Sequence, residues 1–208
     1  GWWGTSADRE SMLVTVPVKG GDVTKIALRH PVDRIEAMGS NAVVIGSDAD
    51  NLYFSAIELT ARRRPVLGDR YALKSAVQGE TRSHGFFFKT DNNDNDGSGV
   101  LGLPIARPGT PAYMQLFQNS AGMVFLRRSD KHFTPLGELD AQIEGITNDN
   151  CVASCVDWYG NARPIFTGQR TFALLGYELV EGELRGKSVR EVGRISFAPR
   201  VTNPRGLD

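Results

Sequence analysis

Apolar residues fall in nine short runs bounded by Gly, Asn, Asp and Pro: residues 12–18, 42–46, 52–59, 85–88, 100–105, 123–126, 164–166, 171–179 and 192–197. They are rich in Val, Ile, Phe and Tyr, which is the signature of strands separated by turns. Helical spacing is nearly absent. Only residues 138–158 are long enough to hold a helix, and Gly145 with Asn148-Asp149-Asn150 opposes a long one.

Ala42-Val43-Val44-Ile45 and Phe86-Phe87-Phe88 do not alternate. An antiparallel strand with one wet face alternates, so these strands are expected to be covered on both faces. Without helices, the cover must be another sheet. A radial stack of small sheets, a β-propeller, meets that need, whereas the outer faces of a β-sandwich should alternate. A loose repeat agrees. Residues 34–59 and 163–179 share one outline of apolar strand, Gly-containing turn and apolar strand. Residues 85–105 and 120–139 fit it less well. At about 40–50 residues per blade the chain holds four to five blades, without the Trp-Asp dipeptide of common repeats. The expected fold is all-β, with residues 1–208 forming a propeller or the C-terminal part of a larger one. Gly1-Trp2-Trp3-Gly4 resembles neither a natural start nor a signal peptide, so an upstream portion is expected.

Composition sharpens this reading. With 208 residues, 40% hydrophobic and 23% charged, the chain can bury a core. It holds 23 glycines and 10 prolines, in keeping with many turns. The 24 basic and 24 acidic residues cancel, which argues against a nucleic-acid partner. No apolar run is long enough to span a membrane as a helix.

The segments Asp33-Arg34-Ile35-Glu36-Ala37-Met38-Gly39, Glu80-Thr81-Arg82-Ser83-His84-Gly85-Phe86-Phe87-Phe88 and Gly99-Val100-Leu101-Gly102-Leu103-Pro104-Ile105 resemble a family of exported bacterial proteins. Its members carry a C-terminal β-propeller distantly related to WD repeats. The resemblance covers about residues 30 to 200. It implies the propeller fold and a secreted, periplasmic or cell-surface location. It implies no reaction, because fold analogy does not supply one. The long acidic turn and the two cysteines depart from the family's pattern.

Four features bear on chemistry. The loop over residues 90–99 reads Asn-x-Asp-x-Asp-Gly from Asn92, which suits a hard cation such as calcium through Asn92, Asp94, Asp96 and Ser98. The twelfth position of an EF-type loop is here Leu103, not Glu, so an EF-hand is excluded and a solvated hairpin loop competes. Ser47-Asp48-Ala49-Asp50-Asn51 is a shorter version and reads as a turn.

Cys151 and Cys155 are the only cysteines. Along a strand they would lie about 13 Å apart at roughly 3.3 Å per residue, beyond the about 4.4–6.8 Å of a disulfide. A turn brings them within reach. A disulfide is the favoured reading, two buried thiols the other, and the bridge would suit an oxidising compartment.

Asp157, Trp158, Tyr159, Asn161 and Arg163 form an aromatic and charged cluster suited to binding a protein or carbohydrate ligand. The competing reading packs Trp158 between blades and pairs Arg163 with Asp157. His84, after Arg82-Ser83 and before three phenylalanines, either lines a propeller channel with Glu80 and Arg82 or is a hydrogen-bonded histidine at a strand start. His30-Pro31 and His132 read as turn residues, and Arg62-Arg63-Arg64-Pro65 as a solvated turn.

No recognised catalytic pattern occurs. A non-catalytic recognition or scaffold propeller is therefore expected. The alternatives are a calcium-dependent hydrolase of lactonase type, drawing on Asp48, Asp94, Asp96, Asp157, His84 and Asn161, and an accessory propeller of an upstream catalytic domain.

Overall fold

The computed structural model describes residues 11–59, 64–91, 97–107, 121–142 and 162–197. They form fifteen strands and one short 3-10 turn. Strands β1 (Ser11–Thr15) and β2 (Thr24–Leu28) pair as an antiparallel ribbon. A four-stranded antiparallel meander follows: β3 (Arg34–Met38), β4 (Asn41–Ser47), β5 (Asn51–Glu58) and β6 (Val66–Lys74). The next sheet has five strands. Both β7 (Val77–Gln78) and β8 (Phe87–Thr90) pair with β9 (Gly99–Ala106), which continues to β10 (Ala121–Ser129) and β11 (His132–Asp140). The last sheet is again a meander: β12 (Ala162–Thr167), β13 (Arg170–Leu175), β14 (Glu178–Arg185) and β15 (Ser188–Ser196).

The non-alternating run Ala42-Val43-Val44-Ile45 has the predicted cause. On β4, Val43 and Ile45 pack into a core with Leu101, Leu103 and Ile105 of β9, while Val44 faces Ile26 and Leu28 of β2. On β10, Val124 and Leu126 face that same core, and Met123 and Phe125 face Ala173, Leu175 and Val180 of the last sheet. Every residue of β9 is buried. Strict period-two geometry thus sends alternate side chains into two different cores. Each fully buried Val, Leu or Phe contributes about 1.5–3 kcal/mol relative to exposure. The four sheets therefore stack face to face in chain order.

The stack is ordered within each sheet as well. The leading strands approach one another: β3 lies near β8, and β12 packs on β8, β9 and the 3-10 turn. The trailing strands do the same, since β11 contacts both β6 and β15. Polar ties run between the sheets. The Phe133 amide donates to Asp69 Oδ2 at 2.7 Å, and Lys89 Nζ donates to the Gly168 carbonyl at 2.6 Å.

Three sequence expectations change. The Phe86-Phe87-Phe88 run is not covered on both sides: Phe86 is buried ahead of the strand, and Phe87 is 49% exposed. The run over residues 171–179 is two strands, turned at Gly176 and Tyr177. Residues 138–140 end β11 and do not start a helix.

Candidate functional site

Where the leading edges of the second and third large sheets meet, the stack leaves an open cleft of about 600 Å³. One wall comes from the 3-10 turn Ser83–Gly85 and the start of β8, through Ser83, His84, Phe86 and Phe87. The other is β12, through Arg163, Pro164, Ile165 and Phe166. Two residues singled out in the sequence, His84 and Arg163, thus line one cleft although they are distant along the chain.

The turn that presents His84 is braced from below. Glu80 is buried, and its Oε1 accepts the Arg82 amide at 2.7 Å. Its other oxygen, Oε2, lies 3.6 Å from His84 Nε2. Arg34 of β3 donates to the carbonyls of Thr81 and Arg82 at 3.2 and 2.6 Å, and also pairs with Glu36 at 3.2 Å. Burial pulls the Arg34 pKa down, while Glu36 and Glu80 oppose that shift. Of the expected Glu80, Arg82 and His84 group, Glu80 therefore serves as the anchor of the turn and Arg82 contributes its backbone. His84 stands on a 3-10 turn, one step before the predicted strand start.

Aromatic rings make the apolar part of the cleft. Phe87 packs on Phe166 across the two walls, with ring centroids 5.7 Å apart. Phe166 is held in turn by Phe125, edge-on at 6.1 Å. Arg163 is exposed at the rim and forms no ion pair among the described residues. The arrangement offers an apolar floor, one imidazole and one cation. It suits noncovalent binding of a ligand with an apolar body and an anionic or hydrogen-bonding group.

Other predicted residues stand elsewhere. Asp48 is held in a turn: its Oδ1 accepts the amides of Asp50 and Asn51, both at 2.8 Å, and its Oδ2 accepts the Tyr53 hydroxyl at 2.8 Å. Ser98 closes the base of the acidic hairpin, where its carbonyl accepts the Asp91 amide at 3.0 Å. Asn92, Asp94 and Asp96 lie outside the described residues, as do Cys151, Cys155, Asp157, Trp158, Tyr159 and Asn161. Among the described residues no three His, Cys, Asp or Glu side chains gather as a metal-binding group. No described helix is long and apolar enough to cross a membrane. His132 is exposed, as expected, and lies 3.7 Å from Asp69.

Sequence reasoning gave residues 164–166 only as a strand and missed their place in the cleft. No local pattern marks them, because the site forms only when two sheets meet. It also missed His30, read as a turn residue, which is 3% exposed and bonded to Ser55. No protein-family model, curated protein or solved structure matches the chain.

Proposed function

We propose that the chain is a non-catalytic recognition β-propeller, or part of one, that binds a partner in the cleft between the 3-10 turn and β12. The propeller reading is supported by consecutive antiparallel meanders stacked face to face, with leading strands gathered on one side and trailing strands on the other. In that arrangement the leading strands border the central channel, and His84 and Arg163 both sit there. The resemblance to exported bacterial propeller proteins supports a location outside the cytoplasm.

The observation that carries the binding reading is the convergence of His84 and Arg163 on one aromatic-floored cleft. The ligand this favours is a peptide segment of a protein partner, with an aromatic or aliphatic side chain over Phe87 and Phe166 and a carboxylate at Arg163. An exposed aromatic beside an exposed arginine is the composition of a contact hot spot. The test is a random peptide library selected on the wild-type protein, run beside a glycan array. Selected peptides should combine an apolar anchor with an acidic residue, and Arg163→Ala with Phe87→Ala should lose them at least tenfold without a change in melting temperature. Equal binding by the double variant overturns the peptide site, and glycan hits alone move the ligand to carbohydrate.

A further inference from the structure

A second pocket, of about 270 Å³, lies on the first large sheet, where the segment joining β2 to β3 meets β5 and β6. We infer that this pocket is a binding site for a small oxyanion, held between the guanidinium groups of Arg29 and Arg70. It is separate from the cleft above and does not rest on that reading.

The pocket is built around His30. The segment joining β2 to β3 runs so close to β4 that a Cβ on Gly46 would sit 1.7 Å from the Pro31 carbonyl oxygen. Glycine is therefore needed at that position for the approach. The approach places the His30 ring parallel to Tyr53, with centroids 5.1 Å apart and planes 9° from parallel. His30 Nδ1 lies 2.7 Å from the Pro31 carbonyl oxygen, and Nε2 lies 2.7 Å from Ser55 Oγ. A carbonyl can only accept, so Nδ1 carries the hydrogen. In the neutral ring, Nε2 then accepts the Ser55 hydroxyl. Both ring nitrogens are satisfied, which fixes the ring as a rigid wall. Ser55 is fully buried and serves to hold the imidazole.

The two arginines flank this wall. Arg29 precedes His30 directly, and Arg70 of β6 is the cross-strand partner of Ser55 on β5. Both are exposed. Among the described residues neither forms an ion pair, a property they share with Arg82, Arg163 and Arg190, whereas Arg64, Arg107, Arg127, Arg128, Arg170, Arg185 and Arg194 are paired. The nearest acids to the imidazole are already engaged. Asp33 accepts from the Ser47 amide and Gln78, and Asp48 from its own turn and Tyr53. Both guanidiniums border one pocket, where a single small anion can accept from the two together. Arginine's planar fork matches carboxylate and phosphate oxygens. The volume lies just below the range of drug-sized ligand sites, so the occupant is small.

Phosphate and acetate, each against chloride at equal ionic strength, separate the two oxyanion classes. Thermal unfolding of wild-type protein should show a saturating rise in melting temperature with phosphate, with acetate, or with both. Arg29→Ala and Arg70→Ala should each weaken the midpoint concentration at least tenfold. Because both side chains are exposed, the variants should keep the wild-type melting temperature in chloride. Should either variant unfold, amide chemical shifts of Arg29 and Arg70 in wild-type protein supply the same readout. Equal shifts in chloride and in the oxyanions, or an unchanged midpoint in the variants, overturn the site.

Discussion

Arg128 of β10 and Glu58 of β5 form a buried ion pair that joins the first two large sheets, with side chains 1% and 10% exposed. Arg128 also donates to the Gly97 carbonyl at 2.9 Å, which ties the base of the acidic hairpin to the same pair. A buried pair is not in itself strongly stabilising, but removing one partner leaves an uncompensated charge in the core. Glu58→Ala should lower unfolding free energy by about 3–5 kcal/mol, read as a shift in denaturant midpoint. Glu58→Leu combined with Arg128→Met should recover most of that loss. A change within about 0.5 kcal/mol for Glu58→Ala, the size of an ordinary surface substitution, would contradict the burial.

Gly102 of β9 should tolerate no side chain. A Cβ there would lie 2.5 Å from Pro164 Cβ and 3.2 Å from Phe125. The proline ring cannot rotate away, so β9 and β12 would have to separate. Overpacking of this kind costs about 1–3 kcal/mol. Gly102→Ala should show that loss in chemical denaturation. Gly193→Ala, with nothing closer than 4.0 Å, should be neutral or slightly stabilising by restricting the unfolded chain.

The inner strands of the sheets were readable in the sequence, and the reason is physical. Ala42-Val43-Val44-Ile45 and Val100–Ile105 are apolar on both faces because each lies between two sheets, and that pattern is local. Strand β2 alternates exposed Lys25 and Ala27 with buried Ile26 and Leu28, and β6 carries Asp69 toward β11 and exposed Arg70 on its other face, so neither forms a continuous apolar run. The mixed β11 likewise forms no continuous apolar run: the strand outline over residues 120–139 is weak, and the stretch long enough for a helix, residues 138–158, overlaps its end. His84 and Arg163 were singled out separately, but their convergence depends on how β8 and β12 pack. That relation has no signature in either segment. His30 was missed because a His-Pro pair looks like a turn, whereas its burial depends on the glycine at position 46, on a strand that pairs only after the chain reverses.

Stability should depend on pH through His30. Burial holds its pKa below the ordinary 6.5, with the Arg70 charge acting the same way, while the Pro31 carbonyl, Asp33 and Asp48 push it up less. The folded protein therefore prefers neutral His30, and the unfolded chain takes up the proton near 6.5. Between those two pKa values the unfolded state binds more protons, so stability rises with pH. Urea midpoints should fall as pH drops from about 7.5 through 6.5 and level off once folded His30 also protonates. His30→Gln should remove that slope. An unchanged slope in the variant would assign the effect to another group.

Arg194 of β15 fastens the last two sheets together. It pairs with Glu178 Oε2 at 2.7 Å and donates to the Asp140 carbonyl of β11 at 2.9 Å. The same Glu178 oxygen accepts the Gln142 amide at 2.7 Å, and the Glu178 side chain is 3% exposed. Arg194→Ala should thus leave a buried carboxylate with one donor fewer and remove a strut between β11 and β15. Hydrogen bonds to charged groups contribute about 1.5–3 kcal/mol, and the loss should lie in that range. Because the contact is confined to one interface, the opening should be local. Amide exchange should accelerate across β12–β15 while β4 and β5 keep their protection. Uniform acceleration through all sheets would instead show that the stack unfolds as a single cooperative unit.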